Sequence, residues 1–417
     1  MLGVKGNLMP AKKRPSEVFT PRAATVNTSM YVRRPLLEER LIDAFDSNKY
    51  IVVHGESGNG KTWLYKRVFA ENEIHYEVVN LSSVASAGSI EGALLQKLGS
   101  VGYQLTTKSE TTSSAGLRPM GMGFDWQNKS LSESIGRSPF HLLLEFTRDQ
   151  ARGYRAALVL DNFESIVGDN EALKQLAGLI ISADDEAVAQ YGVQVVIVGV
   201  PGNLKETISK LTNSAPVANR LTEIPEVARM SDDEAKDLIH RGLVDELDLK
   251  ISTEISETLY SEICWMTDRI AQHIHELCLI ISNNARRNGD VVDENVLDRA
   301  VKTWMADSLS ADMATIEAAM NARETKVGRK NQCLFALGQC RIEDFKPSDI
   351  EAILKDHFEI GDATLNVSQI LSGFADESNP IIRRTPKADA WRFVSPKLKM
   401  AIRAKLQKRD DKVVVRA

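Results

Sequence analysis

The stretch Gly55-Glu56-Ser57-Gly58-Asn59-Gly60-Lys61-Thr62 matches the pattern G-x-x-x-x-G-K-[ST] in full. It directly follows the apolar run at 51–53 and precedes a stretch with helical character at 63–69. Glycines let consecutive backbone N–H groups curl around phosphates, and the following helix points its positive end at them. In this pattern Lys61 neutralises phosphate charge and the Thr62 hydroxyl holds Mg²⁺. The sequence therefore predicts a phosphate-binding loop at 55–62 that binds a nucleotide with Mg²⁺.

The composition is that of a soluble globular protein. A chain of 417 residues exceeds the usual size of one domain, so two or three are expected. Its longest apolar runs have the length of a strand, and the N-terminus lacks a signal-like segment. The four cysteines form no C-x-x-C pair and have no histidine at zinc-ligand spacing, which indicates reduced, buried thiols. We expect a cytoplasmic protein with no membrane partner.

Strand-like and helix-like segments alternate after residue 30. Strands are predicted at 49–53, 76–81, 156–160 and 193–198, with helical stretches between them. This alternation is typical of an α/β fold, a three-layer αβα sandwich with a parallel sheet. Only helical patterns follow from residue 231, which predicts a helical lid bundle.

The domain boundaries follow from changes in these patterns. Residues 1–29 mix Pro, Lys, Arg, Ser and Thr without periodicity and predict a flexible N-terminal arm. Residues 102–133 are too long and polar for a tight connection and predict a mobile insertion. Three helical stretches, a hairpin and a basic helix predict a C-terminal winged-helix domain. The predicted domains are the arm at 1–29, the P-loop ATPase domain at 30–228, the helical lid at 229–320 and the winged helix at 321–417.

A second motif is the apolar strand that ends in Asp161. Its carboxylate is the candidate Mg²⁺ group beside Thr62. The next residue is Asn162, and an amide cannot act as a base, so the nearest acid is Glu164. Glu164 becomes the catalytic candidate if the strand ends sharply and turns it back toward the γ-phosphate, and an exposed structural role is the alternative. Hydrolysis is therefore expected to be slow.

Two further sites are predicted around the nucleotide. Arg220 precedes a short extended segment, a position from which ring-forming ATPases extend an arginine to a neighbour's γ-phosphate. A surface salt bridge is the alternative, and Arg229 competes for the same role. Asn203, after the strand at 193–198, is either a γ-phosphate sensor or a helix cap.

Over residues 30–310 the order of these motifs resembles the AAA+ and STAND branch of P-loop ATPases, particularly the origin-recognition type and the transposition regulators TnsC and TniB. The resemblance is carried by the entry segment at 31–41, the loop at 54–62, residues 158–164, residues 198–201 and the segment at 268–278. It implies ATP and Mg²⁺ as ligands and Lys61, Asp161, Glu164 and Arg220 as catalytic residues. It also implies that Arg269, at the start of a long lid helix, contacts phosphate, with helix-surface charge as the alternative. The chain departs from the family in lacking an Asp-Glu pair, a clear sensor residue and a Gly-x-Pro at 269–271.

The C-terminal end of the chain is basic and the rest acidic. Residues 381–417 carry 12 basic and 3 acidic side chains, a net charge of +9, while the whole chain carries −5. Such a surface is suited to the phosphates of duplex DNA. The predicted nucleic-acid contacts are Arg383, Arg384, Lys387, Arg392, Lys397, Lys399 and Arg403. Contacts to proteins by the winged helix are the alternative.

Two functions remain open at this point. The first is an ATP-dependent switch that self-assembles as a homo-oligomer and regulates a complex on double-stranded DNA. The second is a STAND-like signalling ATPase, for example in anti-phage defence, that acts on a separate effector protein. The first predicts stimulation by duplex, and the second predicts inactivity until a protein trigger is added.

Overall fold

A computed structural model describes most of the chain in two compact units. The described residues are 12–47, 50–102, 137–182, 185–200, 217, 219–321, 328–358, 366–376, 378–385, 389–410 and 413–416. The α/β unit consists of residues 24–28 and 33–228. The helical unit consists of the described residues within 1–23, 29–32 and 229–417. The predicted insertion at 102–133 lies outside the described residues apart from its first position, as do Asn203 and Lys387.

A parallel sheet of five strands forms the centre of the α/β unit. Its strands are β1 (Tyr50–His54), β2 (His75–Asn80), β3 (Ala156–Asp161), β4 (Val193–Val200) and β5 (Leu221–Glu223). They lie in the order β2-β3-β4-β1-β5, and every neighbouring pair is parallel. Parallel strands are buried on both faces, which explains why β3 is apolar at five consecutive positions before Asp161.

Helices cover both faces of this sheet. They span Pro35–Phe45, Lys61–Glu71, Val84–Ala87, Ile90–Ser100, Pro139–Ala151, Asn170–Ser182 and Glu186–Ala189. One apolar core includes Leu158 and Leu160, and the other includes Ala157 and Val159, as expected when successive side chains of a strand point to opposite faces. The predicted three-layer αβα sandwich with a parallel sheet is confirmed.

The helical unit begins with a bundle. Its α-helices span Asp232–His240, Leu259–Met266, Ala271–Arg287, Glu294–Ser308 and Ser310–Ala319. The first starts at a capping box between Ser231 and Glu234 and continues into a π-helix at Arg241–Glu246. Leu277 and Trp304 are fully buried between the two longest helices of this group.

The N-terminal residues of this unit differ from the flexible arm expected for 1–29. Residues Pro15–Val18 form a helical turn, and Val18 and Phe19 are buried. Gly242 leaves the space for the Phe19 ring, since a Cβ there would lie 2.2 Å from it. The backbone N–H of Thr20 donates to Nδ1 of buried His275 at 3.1 Å. Two apolar side chains in an otherwise polar stretch thus fix residues that lack any periodic pattern.

The C-terminal part contains three helices, a hairpin and a basic helix. The helices span Arg329–Gln339, Pro347–His357, Val367–Asp376 and Pro396–Lys405. Ile382–Arg384 pairs antiparallel with Trp391–Phe393, and Leu406–Lys408 pairs with Val414–Arg416. These elements share one apolar core that includes Phe345, Phe374 and Ile402. The order matches the prediction, and the winged-helix assignment stays a prediction.

Candidate functional site

The phosphate-binding loop lies at the carboxyl edge of the sheet. It follows β1 directly, and the helix Lys61–Glu71 starts at its end. Gly58 and Gly60 have φ of 84° and 92°, left-handed values that a side chain disfavours. Gly60 is the residue before the helix, so the free N–H groups of the first helical turn face the loop. This backbone geometry is suited to binding an anion.

Lys61 is held inside this loop. It is 9% exposed, and its Nζ donates to the carbonyl oxygens of Gly55 at 2.8 Å and Glu56 at 3.0 Å. Burial lowers the pKa of Lys61, and the negative charges of Glu164, Glu56 and Asp161 partly oppose that effect. Polyphosphate would supply additional negative charge to an ammonium group that the fold has already desolvated.

Asp161 ends β3 and is 9% exposed. Its Oδ2 accepts a hydrogen bond from the Tyr65 hydroxyl at 3.2 Å, and its Oδ1 accepts one from the backbone N–H of Asn162 at 2.8 Å. Both oxygens keep acceptor capacity beyond these bonds, so the carboxylate can also accept from water bound to Mg²⁺. The donor set of Asp161 and Thr62 therefore fits Mg²⁺. Sequence reasoning missed Tyr65, which lies one helical turn after Lys61.

Glu164 is placed by a sharp turn at the end of β3. Asn162 adopts a left-handed conformation with φ of 61°, and its Nδ2 donates to Oδ1 of Asn80 at 2.9 Å. A short 3₁₀ turn, Phe163–Ile166, then directs the carboxylate of Glu164 toward the end of β4. A Cβ added to Gly199 would lie 2.0 Å from Oε2 of Glu164, so only glycine leaves room for this carboxylate.

The environment of Glu164 is mixed. The residue as a whole is exposed to solvent, while its carboxyl end rests against the strand end. Partial desolvation raises the pKa of Glu164, its own backbone N–H and the charge of Lys61 act to lower it, and Asp161 acts to raise it. A carboxylate that is open to water and has a raised pKa has the properties of a general base. The sharp turn at the end of β3, which the sequence analysis required for Glu164 to be the catalytic candidate, is thus present.

The segment after β5 supports the start of the loop, and the motif analysis gave no signal for it. The N–H of Ile224 donates to Val52 and that of Val227 donates to His54. Nδ2 of the buried Asn59 donates to the Val227 carbonyl at 3.0 Å. Gly55 lies so close to Val227 that a Cβ would meet its carbonyl oxygen at 2.4 Å. The first and fifth positions of the motif, Gly55 and Asn59, therefore both lie against the Val227 carbonyl.

Arg220 lies at the opposite edge of the sheet. Its carbonyl accepts from the N–H of Tyr50 at the first residue of β1. A strand of five residues spans about 16 Å, which separates Arg220 from the loop of its own chain. Arg220 lines a cleft of about 710 Å³ together with Arg148 and Arg155.

Arg229, the competing arginine, is engaged within the helical unit. It forms ion pairs with Asp268 and with Glu343, and its side chain is 14% exposed. Arg269 lies at the junction of two helices of this unit, 3.7 Å from Asp232. Its predicted contact with phosphate remains a proposal.

Three of the predicted nucleic-acid residues form internal ion pairs, which corrects that prediction. Lys399 and Arg403 have side chains only 2% exposed, and both pair with Asp268. Nε of Arg392 donates to Asp344 at 2.6 Å, and its side chain is 14% exposed. These three basic side chains face inward. The sequence did not indicate this, because their acidic partners lie far away along the chain.

The remaining described candidates are more accessible. Arg384 is exposed and lies over the Trp391 ring at 4.5 Å, and Arg383 is half-buried. Nζ of Lys397 donates to the carbonyl of Ser308 at 3.1 Å. The basic surface of the hairpin is thus smaller than the sequence predicted.

Residues 45–208 match the family model of the AAA domain. A search of curated proteins gave no match. Among solved structures, the Walker-type ATPase PABY2304 of Pyrococcus abyssi has 15% identity and a TM-score of 0.50, over 93% of this chain and 99% of that one. The ORC2 protein of Aeropyrum pernix has 12% identity and a TM-score of 0.48, over 88% and 92%. The RuvB Holliday junction branch migration motor of Thermotoga maritima has 13% identity and a TM-score of 0.43, over 87% and 92%.

The match to the AAA domain and the similarity to the P. abyssi ATPase agree with the geometry of the α/β unit. The family model covers the phosphate-binding loop, Asp161 and Glu164, and the similarity to the P. abyssi ATPase shows a shared fold. The α/β unit is a P-loop fold of the AAA type. Within the described residues, every helix is too short or too polar to cross a membrane.

Proposed function

We propose that the protein is an ATP-dependent molecular switch of the AAA+/STAND type that binds MgATP and hydrolyses it slowly. The observation that carries this proposal is the convergence of Lys61, Asp161 and Glu164 at one edge of the sheet, where the two carboxylates act on the pKa of Lys61, and Lys61 and Asp161 act on the pKa of Glu164. Asp161 and Thr62 would hold Mg²⁺, which when bound neutralises the charge on the β- and γ-phosphates.

Slow hydrolysis follows from the position of the base. The carboxylate comes from Glu164, two residues beyond the amide of Asn162, and depends on the left-handed turn there for its direction. Within the described residues, this carboxylate rests against Gly199 and accepts a hydrogen bond from its own backbone N–H, which lies on the same short turn. A base without rigid support spends less time in the reactive geometry, which favours a switch over a motor.

We further propose that the protein self-assembles through the edge that carries Arg220. Within one chain this arginine lies a strand's length from the loop, so it serves a nucleotide only in a neighbouring copy. Arg148 in the same cleft donates to the carbonyls of Tyr191 at 2.7 Å and Tyr154 at 2.8 Å, which makes this edge rigid. The expected homo-oligomer places the basic edge of one copy against the nucleotide of the next.

The two candidate functions differ in what the C-terminal domain contacts. Arg383, Arg384 and Lys397 support contacts with duplex phosphates. The internal pairing of Arg392, Lys399 and Arg403 favours the second candidate, a signalling ATPase that acts through a separate effector protein. Regulation of a DNA-associated complex remains the leading proposal because the exposed Arg384 and the half-buried Arg383 lie on a hairpin, an element that can reach a groove.

Fluorescence anisotropy with duplex DNA across a salt series tests the choice. The measurement is made with and without a slowly hydrolysed ATP analogue, on the wild type, Lys61→Ala and Arg384→Ala. Binding that needs nucleotide and Lys61, and whose salt slope falls by about 1 in Arg384→Ala, supports the DNA proposal. Binding that is absent at low salt removes it and favours the protein trigger.

A further inference from the structure

A second cavity lies in the helical unit, and its lining is predominantly cationic. It has a volume of about 410 Å³. Its charged lining residues are Lys236, Arg269, Arg341 and Arg403 against Asp232 and Asp268. This size falls within the range of small-ligand sites.

The positive charge of the lining is not balanced from within. Asp268 is 4% exposed and accepts ion pairs from Lys399, Arg403 and Arg229 at once, so its single charge is fully used. Burial would raise the pKa of Asp268, but these three cations outweigh it and hold that pKa below its usual value. Asp268 thus faces three cations in a nearly dry environment, and of these three Arg229 also pairs with Glu343.

Arg403 carries this excess charge to the cavity wall. Its Nε donates to the Gly338 carbonyl at 2.7 Å, its Nη1 binds the carbonyl of Trp265 and Asp268, and its guanidinium stacks on the Trp265 ring at 3.7 Å. Among the described residues nothing accepts a hydrogen bond from Nη2. The guanidinium is therefore fixed in place with one donor group still to be satisfied.

Two more cations on the wall are uncommitted. Lys236 and Arg341 are exposed, and neither has an acidic partner within the described part of the chain. Burial lowers the pKa of Lys399 to about 8, Asp268 opposes this, and the charges of Arg403 and Arg229 add to it. An anion in the cavity would relieve that repulsion.

The backbone at the cavity is also unusual. Asp268 and Arg269 are consecutive non-glycine residues in left-handed conformation, with φ of 49° and 59°. Each such residue costs about 1–2 kcal/mol and persists only where surrounding contacts hold it, which is common at ligand sites. Here the ion pairs of Asp268 stabilise this conformation. The next residue, Arg269, lines the cavity.

We propose that this cavity binds a small phosphate-bearing ligand through Lys236, Arg341 and the free donor of Arg403. All lining residues of the cavity belong to the helical unit, and the proposal does not depend on the proposed function. Because Asp268 joins the helical bundle to the C-terminal helix Pro396–Lys405, the ligand also strengthens the packing between these two parts of the unit.

Calorimetric titration of the full chain with inorganic pyrophosphate tests the proposal. All variants carry Lys61→Ala, which disables the phosphate-binding loop. We expect saturable binding in this background, weakened about tenfold or more by Lys236→Ala and by Arg341→Ala, because each removes a charge-assisted hydrogen bond. Lys302→Ala is the matched control, since Lys302 is an exposed lysine on another helix of the same unit and outside the cavity. The affinity of the Lys302→Ala variant for pyrophosphate should equal that of the protein carrying Lys61→Ala alone.

Three outcomes overturn the proposal. Pyrophosphate binding that disappears with Lys61→Ala alone places the anion in the loop. Equal affinities of Lys236→Ala, Arg341→Ala and Lys302→Ala exclude the cavity. A duplex that binds with the predicted dependence on Lys236 and Arg341, while pyrophosphate does not bind, shows that the phosphates belong to DNA and not to a small ligand. Matching thermal unfolding curves for the four variants verify that each is folded.

Discussion

Substitution of Gly199 by alanine tests whether Glu164 is the catalytic base. Gly199 is the extra residue of a bulge, since Val53 pairs with Val198 and His54 pairs with Val200. Its φ is 102°, where a side chain costs about 1–2 kcal/mol. The new Cβ would lie 2.0 Å from Oε2 of Glu164, and contacts under 3.0 Å do not occur, so the carboxylate must move by about 1 Å or more.

The expected effect is on catalysis and not on binding. A displacement of about 1 Å at a reacting group costs about 100-fold in rate. Steady-state ATP hydrolysis by Gly199→Ala should therefore fall about 100-fold, while the dissociation constant for ATP from calorimetry stays within about threefold. Gly178→Ala is the control, because Gly178 is helical, has nothing within 4 Å of a new Cβ and should gain stability if anything.

A double-mutant cycle completes this test. Glu164→Gln should lower the rate by about 10²- to 10⁴-fold, and adding Gly199→Ala should lower it little further, because the base that the alanine displaces is already gone. A wild-type rate in folded Gly199→Ala would refute the reasoning. The reasoning would also be refuted if the two rate reductions multiplied in the double variant, because the two substitutions would then act independently.

Three further predictions concern stability. Because burial lowers the pKa of His275 from 6.5 to about 4, the folded state resists protonation, so stability present above pH 6.5 is lost as the pH falls toward 4. Urea unfolding should show that the free energy of unfolding falls by about 3 kcal/mol over this pH range. This loss should be absent in His275→Asn, which keeps an acceptor for the N–H of Thr20. Equal pH profiles of the two proteins would contradict the burial of a neutral imidazole. Asp268→Asn leaves Lys399 and Arg403 without their carboxylate and Arg229 with Glu343 alone, and it should lower the free energy of unfolding by about 3–5 kcal/mol, whereas a loss under about 1 kcal/mol would mean that water reaches the cluster. Asn59→Ala removes the bond to Val227 and should cost about 1 kcal/mol in the same assay, and no change would show that this bond does not hold the loop.

The parts predictable from sequence are those in which neighbours along the chain carry the information. The glycines and Lys61 of the loop act through local backbone geometry, so their spacing sufficed. The sheet followed from apolar runs of strand length, because strands buried on both faces cannot tolerate polar positions. Asp161 was found because it ends one of these apolar strands.

What could not be predicted depends on residues distant in sequence. Lys399 and Arg403 are basic residues on a C-terminal helix, and only the fold brings them to Asp268, more than 130 positions earlier. Their spacing is compatible with an exposed stripe, so charge alone gave the wrong surface. The hydrogen bond from Asn59 to Val227 likewise could not be predicted, because every residue has a carbonyl oxygen and the sequence does not show which one is the acceptor.

The N-terminal segment shows the same limit at smaller scale. Val18 and Phe19 are two apolar residues among charged ones, too few to produce a periodic signal. The space that receives Phe19 exists because residue 242 is glycine, within a π-helical turn. Composition predicted a flexible arm, and one distant glycine is part of what makes an ordered segment possible.

The most direct test of the central claim is the rate of ATP hydrolysis by the purified full chain with Mg²⁺, measured for the wild type and Lys61→Ala under single-turnover conditions. The ammonium of Lys61 is the charge set inside the loop for the phosphates, so the wild type should hydrolyse bound ATP slowly and Lys61→Ala should show neither binding nor turnover. Equal turnover by the two proteins, or no binding of ATP by the wild type, would contradict the account.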